Sequence, residues 1–153
     1  MAKIYIRISG DRIYAKNLDS GAVFDEPALL VIVESGGRKY VLAAGDTVAA
    51  ACAETGAIAI APFDSHPRVL VDDLDWASFL FKYAMVKLEM RWFIRHSAIL
   101  HVTKPLAGGL SAIEKRALQE LAQSAGLRGI RILDDPAVAD YTAAQLEEYL
   151  KRL

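Results

Sequence analysis

Isoleucines recur at every second position in KIYIRIS (3–9), where Ile4, Ile6 and Ile8 share one face. That period marks a strand buried on one side. Gly10-Asp11 predicts a tight turn, and RIYAK (12–16) the returning strand of a hairpin. ALLVIVE (28–34) is an unbroken, partly β-branched apolar run and predicts a central strand. Gly36-Gly37 turns the chain into KYVLAA (39–44), the Ala-rich stretch 46–55 predicts a helix, and Pro62 and Pro67 bracket a loop.

From residue 74 the period changes. Leu74, Ala77, Leu80, Phe81, Ala84 and Leu88 form one apolar stripe of a helix over 74–89, and Trp76, Phe79, Tyr83 and Val86 form a second. A helix apolar on two faces is packed on both or meets a partner. SAILHVT (97–103) predicts a buried strand, followed by the loop KPLAGGL. Ser111 and Glu114 have the spacing of a capping box at the start of a helix that Gly126 ends. RGIRIL (128–133) is the next strand, and Asp135 with Pro136 can begin another helix. Thr142 and Gln145 form a second possible capping box, so that helix breaks or restarts there. Over 142–153, Leu146, Tyr149, Leu150 and Leu153 make an amphipathic stripe beside the pairs Glu147–Lys151 and Glu148–Arg152. Strands first in hairpins, then alternating with helices, predict an α/β domain with a mixed sheet, its faces covered by the helices at 74–89 and 111–126.

Composition narrows the function. The 153 residues suit a single domain spanning 1–153, and the net charge of −1 argues against a general nucleic-acid binder. The one cysteine, Cys52, excludes an intramolecular disulfide framework and fits a reducing cytosol. The N-terminus shows no signal-peptide pattern, and no apolar run approaches the length of a membrane span. A cytoplasmic location is expected. The hydrophobic fraction of 54% and mean hydropathy of +0.23 are high for a domain of this size. Either the core is large, or a partner or membrane covers apolar surface. His66, His96 and His101 have no metal-ligand spacing with one another or with Cys52, so no metal is assigned. Gly108-Gly109 matches neither a P-loop nor a dinucleotide fingerprint and reads as a turn.

Two segments resemble the bacterial actin MreB. GAVFDEPALLVI (21–32) is similar to that family's Asn-Glu-Pro-Ser segment. Residues 97–139 resemble its run of strand, Val-Glu-Arg-Arg-Ala helix, Gly-Ala turn and strand ending in Glu-Glu-Pro. The matching elements here are Ile113-Glu114-Lys115-Arg116-Ala117, Ala125-Gly126 and Asp134-Asp135-Pro136. The resemblance implies an actin-like, RNase H-type mixed sheet flanked by helices, equivalent to the first large domain of an actin.

In that family an Asp-x-Gly-Thr loop after the first strand organises hydrated Mg²⁺ and approaches the nucleotide phosphates. The corresponding stretch here is Ile6-Arg7-Ile8-Ser9-Gly10-Asp11. Arg7 or Ser9 falls near the Asp position, and an arginine cannot hold a metal-bound water as a carboxylate does. Asp135 matches the Glu that positions the attacking water, yet it is one methylene shorter and serves equally as a helix N-cap. The expectation is therefore a protein without ATPase activity, catalytic residues or cofactor.

The resemblance also places a membrane-inserting loop at KLEMRWFIRH (87–96). Met90, Arg91, Trp92, Phe93, Ile94 and Arg95 combine an aromatic wedge with basic neighbours, the mixture that suits an anionic membrane interface. The alternative is that these residues pack inward. The expected role is an MreB-like cytoskeletal or cell-shape protein, peripheral on the inner face of the cell membrane. It would assemble with itself or with a full-length MreB-like protein. The stripe Leu146, Tyr149, Leu150 and Leu153 would either join a second copy or fold back over an exposed face. Two rival readings are half of a split actin-like ATPase completed by a separate second-domain chain, and a regulatory adaptor that kept the fold.

Overall fold

The computed structural model describes residues 2–71, 73–91, 94–138 and 140–152. Five strands form the central sheet in the order β3-β2-β1-β6-β7. β1 (Ala2–Ile8) lies at its centre, antiparallel to β2 (Arg12–Asn17) and parallel to β6 (His96–Val102). β3 (Val23–Pro27) extends the antiparallel side, and β7 (Leu127–Leu133) runs parallel to β6. The hairpin predicted at Gly10-Asp11 is the β1–β2 connection.

The alternation in β1 sorts the molecule into two layers. Ile4, Ile6 and Ile8 are fully buried against α2 (Leu74–Lys87) and α3 (Ala112–Ser124). Asp73 caps α2 by accepting from the Asp75 and Trp76 N–H groups, both at 3.1 Å. Ser111 and Glu114 cap α3 reciprocally, as their spacing predicts. Both long helices lie on this one face, a correction to the expectation that they would divide between the two. The opposite face carries Tyr5, Tyr14, Ile99 and Leu133, and α4 (Ala143–Lys151) covers it through Leu146 and Tyr149. A short 3-10 helix over Pro136–Val138 precedes α4. The helix begun at Asp135 thus stops after one turn, and the chain restarts at Thr142, whose hydroxyl and N–H exchange hydrogen bonds with Gln145.

Two strand expectations change. The run at 28–34 becomes β4 (Leu30–Ser35), which pairs with β5 (Arg38–Ala44) in a separate two-stranded sheet rather than the central one. Its other edge is held at Leu30, which exchanges backbone hydrogen bonds with Ile60 at 2.9 and 2.8 Å. The hydrophobic demand of this run is met by α1 (Val48–Thr55), whose Val48 packs with Val31 and Ala43. β3 was not foreseen, because its inward positions are Phe24 and the buried carboxylate Glu26, which breaks the apolar alternation.

Candidate functional site

The resemblance points to the C-terminal ends of the parallel strands, where ligands of open α/β sheets gather. The β1–β2 turn places Ser9 Oγ 2.9 Å from Asp11 Oδ1, to which it donates. Arg7 points to the opposite face of the sheet, its guanidinium 4.9 Å from the centre of the Tyr14 ring. Neither residue at the family's Asp position therefore presents a carboxylate to this end of the sheet.

Just after β6, Lys104 turns inward, with its side chain only 7% exposed. Its ammonium donates to the carbonyls of Phe63 and His66 at 2.8 and 2.9 Å and pairs with Asp64 Oδ1 at 3.3 Å. Three acceptors match the three donors of an ammonium. Gly10, at φ +98°, lies over the lysine stem: a Cβ there would sit 3.1 Å from Lys104 Cδ. A basic residue next to a proline gave no sequence signal of this role, because lysines in loops are ordinarily solvated.

At the end of β7, Asp134 pairs with Lys115 at 3.1 Å. Asp135 Oδ1 accepts from the Ala137 N–H at 2.9 Å, an N-cap of the 3-10 turn. Gly108 and Gly109, at φ +80° and +72°, form the turn before α3. Asp64, Asp134 and Asp135 each have one carboxylate oxygen engaged by their own chain, and the described residues contain no group of three or more His, Cys, Asp or Glu able to hold a metal.

The corner after α2 is divided. Glu89 takes a left-handed conformation, φ 53°, and turns the chain out of the helix. Met90 is partly buried and packs against the main core. Arg91, Ile94 and Arg95 are exposed, and Val86 on the last turn of α2 is 76% exposed nearby. Trp92 and Phe93 lie outside the described residues. Of the second stripe on α2, Phe79 and Val86 face solvent, Trp76 packs at the core edge, and Tyr83 reaches Glu26.

The terminal stripe is used within the chain. Leu146 is 1% exposed and packs with Tyr5 and Val138, so its assignment to a contact between copies is corrected. Tyr149 is half-buried in the same cluster, stacked edge-on to Tyr141. The Leu150 side chain and Leu153 lie outside the described residues. An ion pair between Lys16 and Glu147 at 3.1 Å fastens α4 to β2.

A cleft of about 480 Å³ separates the β4–β5 hairpin from the start of α2. Its walls include Ile32, Ile60, Pro62 and Trp76 together with the charged Glu34 and Lys39.

A central strand paired antiparallel on one side and parallel on the other, in the order β3-β2-β1-β6-β7, defines an actin-like, RNase H-type domain with the β4–β5 hairpin inserted between β3 and α2. Solved structures agree. The chain is similar to MreB 5 of Spiroplasma citri bound to AMPPNP, with a TM-score of 0.67 and 19% identity over 87% of this chain and 38% of that one. The same protein bound to ADP gives 0.67 and 18% over 87% and 38%. The MamK double helical filament gives 0.60 and 15% over 88% and 41%. The chain thus spans about two-fifths of the length of these structures, from 38% to 41%. No family model matches it.

Proposed function

We propose that this chain is an MreB-like cytoskeletal protein that does not hydrolyse ATP and acts as an assembly partner at the membrane. The observation that carries this reading is the engagement of Lys104, Asp64, Asp134 and Asp135 by partners of their own chain at the ends of the parallel strands. A nucleotide phosphate or its metal would have to displace those partners. Calorimetry with Mg·ATP at physiological concentration tests it: no heat of binding is expected, and low-micromolar binding would overturn the reading.

Assembly with itself or with a longer MreB-like protein draws support from the fold shared with the MamK double helical filament. The exposed Phe79, Val86, Tyr40 and Leu42 offer apolar surface for it. Membrane association draws support from Arg91, Ile94 and Arg95, which are exposed together at one corner. No described helix is long and apolar enough to cross a membrane. The reading places the contact peripherally, on the inner face of the cell membrane.

A second reading is half of a split ATPase. It is favoured by the match of 87% of this chain to 38% of an AMPPNP-bound MreB 5. Purification from the native host separates the two: a separate second-domain chain that copurifies and restores ATP binding supports the split enzyme, and a full-length MreB-like partner supports the assembly role.

A further inference from the structure

The inserted hairpin has two edges, and they differ. Gly36 and Gly37, at φ +61° and +77°, make the turn between Ser35 and Arg38. Along such a hairpin, pairs that exchange backbone hydrogen bonds alternate with pairs that do not, starting from the pair that flanks the turn. Ser35–Arg38 and Val33–Tyr40 are of the first kind, so Ile32 and Glu34 turn their N–H and C=O groups outward from β4. Leu30, in the same phase, shows what such groups take up: both of its outward bonds go to Ile60. The pairing stops after that one bridge. Ile32 and Glu34 have no backbone partner on this edge among the described residues.

The outer edge, on β5, is built against further pairing. Between Ala43 and Val41 it carries the extra residue of a bulge, and the exposed Arg38 and Lys39 stand along it. The β4 edge has no such device. It opens into the cleft of about 480 Å³, facing Ile60, Pro62 and Trp76. That volume lies within the range of ligand sites, about 300–1,000 Å³. Two N–H and two C=O groups, set two residues apart beside apolar walls, are matched by an added strand and not by a compact apolar molecule, which would leave them unpaired.

Charge selects among extended chains. Glu34 and Asp73 bring two carboxylates to the cleft against the one ammonium of Lys39. Glu34 makes no ion pair among the described residues. Asp73 uses Oδ1 to cap α2, which leaves its second oxygen for another donor. Ile32 and Glu34 share one face of β4, two positions apart. A strand laid beside them therefore sets an apolar side chain next to Ile32 and a basic one next to Glu34.

We propose that the β4 edge is a peptide-binding site: an extended segment of a partner protein, with a basic and an apolar residue two positions apart, adds to the hairpin as a third strand along Ile32 and Glu34. The backbone bonds supply affinity, and the carboxylates and apolar walls supply selection. The site is independent of whether the chain binds nucleotide.

The probe is the peptide acetyl-Thr-Lys-Thr-Ile-Thr-Lys-Thr-amide, whose pattern reads the same in either strand direction. Calorimetry with the full chain should show one-to-one binding that saturates below about 1 mM. The same peptide methylated on the isoleucine nitrogen lacks a donor that strand pairing needs, and it should bind about tenfold or more weakly. Glu34→Lys, a change at an exposed side chain, should weaken the lysine peptide by a similar factor and favour its counterpart with glutamates in place of the lysines. Absence of saturable binding would overturn the site. Equal affinity for the methylated peptide would overturn strand addition and leave the cleft to a compact ligand. Unchanged affinity in Glu34→Lys would overturn the selection by charge.

Discussion

Tyr83 donates its hydroxyl to Glu26 Oε1 at 2.9 Å, and the same oxygen accepts the Asp46 N–H at 3.0 Å. One half-enclosed carboxylate oxygen thus joins α2, the end of β3 and the point where the inserted hairpin returns to the body. Glu26→Ala would leave both donors without their acceptor, at about 1–3 kcal/mol for a buried unpaired group. Glu26→Gln, whose amide oxygen can still accept, should lose clearly less. Urea denaturation of the two variants checks this, and equal losses would refute it.

Gly45 adjoins the same carboxylate. It sits at φ +58°, and a Cβ there would collide with Glu26 Oε1 and lie 3.1 Å from Tyr83 Cε1. Gly37, at φ +77°, has nothing within 4 Å. Both substitutions to Ala carry a backbone cost of about 1–2 kcal/mol, and Gly45→Ala adds the displacement of Glu26. Its melting temperature should therefore fall well below that of Gly37→Ala. Matching melting temperatures would mean that the Glu26 contact is easily relaxed.

Tyr83 has its pKa pushed up to about 12, first by burial and then by its hydrogen bond to Glu26. Tyr5 reaches about 12 as well, mainly by burial, with Arg7 opposing and Tyr14 adding to the rise. In the unfolded chain both ionise near the ordinary 10.0. The folded state thus holds these protons longer. The stability they supply is complete below pH 10 and is lost as the pH climbs from there toward 12. Tyrosinate absorbance during alkaline titration should show late-ionising phenols, and Tyr83→Phe should remove part of that late signal and soften the alkaline loss of stability.

Lys104→Met keeps the length of the stem and removes the ammonium. The Phe63 and His66 carbonyls would lose their donor, at about 1–3 kcal/mol for each that stays buried and unpaired. Hydrogen exchange should report faster opening of residues 63–70 than of β6. Unchanged stability would show that water replaces the ammonium without cost.

The exposed corner makes a separate prediction. Arg91 and Arg95 should each contribute about 1 kcal/mol to attraction by an anionic bilayer. Co-sedimentation with phosphatidylserine vesicles should fall with salt and fall sharply in an Arg91→Glu, Arg95→Glu variant. Neutral vesicles should bind weakly. Binding that ignores both salt and the charge reversal would exclude this corner as the contact.

Most of the architecture was legible from period alone. Ile4, Ile6 and Ile8 announced the central strand, and the Ser111–Glu114 spacing fixed the start of α3 to the residue. Period says which residues are buried, but not against what. The run at 28–34 reads identically whether its cover is a central-sheet helix or the small α1, and Leu146 reads identically whether it meets a second chain or its own Tyr5. Polar burial was less legible. Glu26 and Lys104 are buried because partners distant in sequence satisfy them, His101 meets the distant Tyr5 through one ring nitrogen, and a local pattern carries no trace of those partners. Tyr5 and His101 stand 96 positions apart.

The central position of β1 has a consequence for how far the chain can drift. Its even-numbered side chains fill the main core, and Tyr5 and Arg7 build the layer under α4. Inserting or deleting one residue within it would exchange the two sets, sending Tyr and Arg against α2 and α3 and isoleucines under the terminal helix. The β4–β5 hairpin, tied to the body at Leu30 and at Glu26, can lengthen or vary at its Gly36-Gly37 tip without touching either layer. Diversification of this domain is thus confined to its inserted arm and its corners, while seven consecutive residues at its centre must stay in frame.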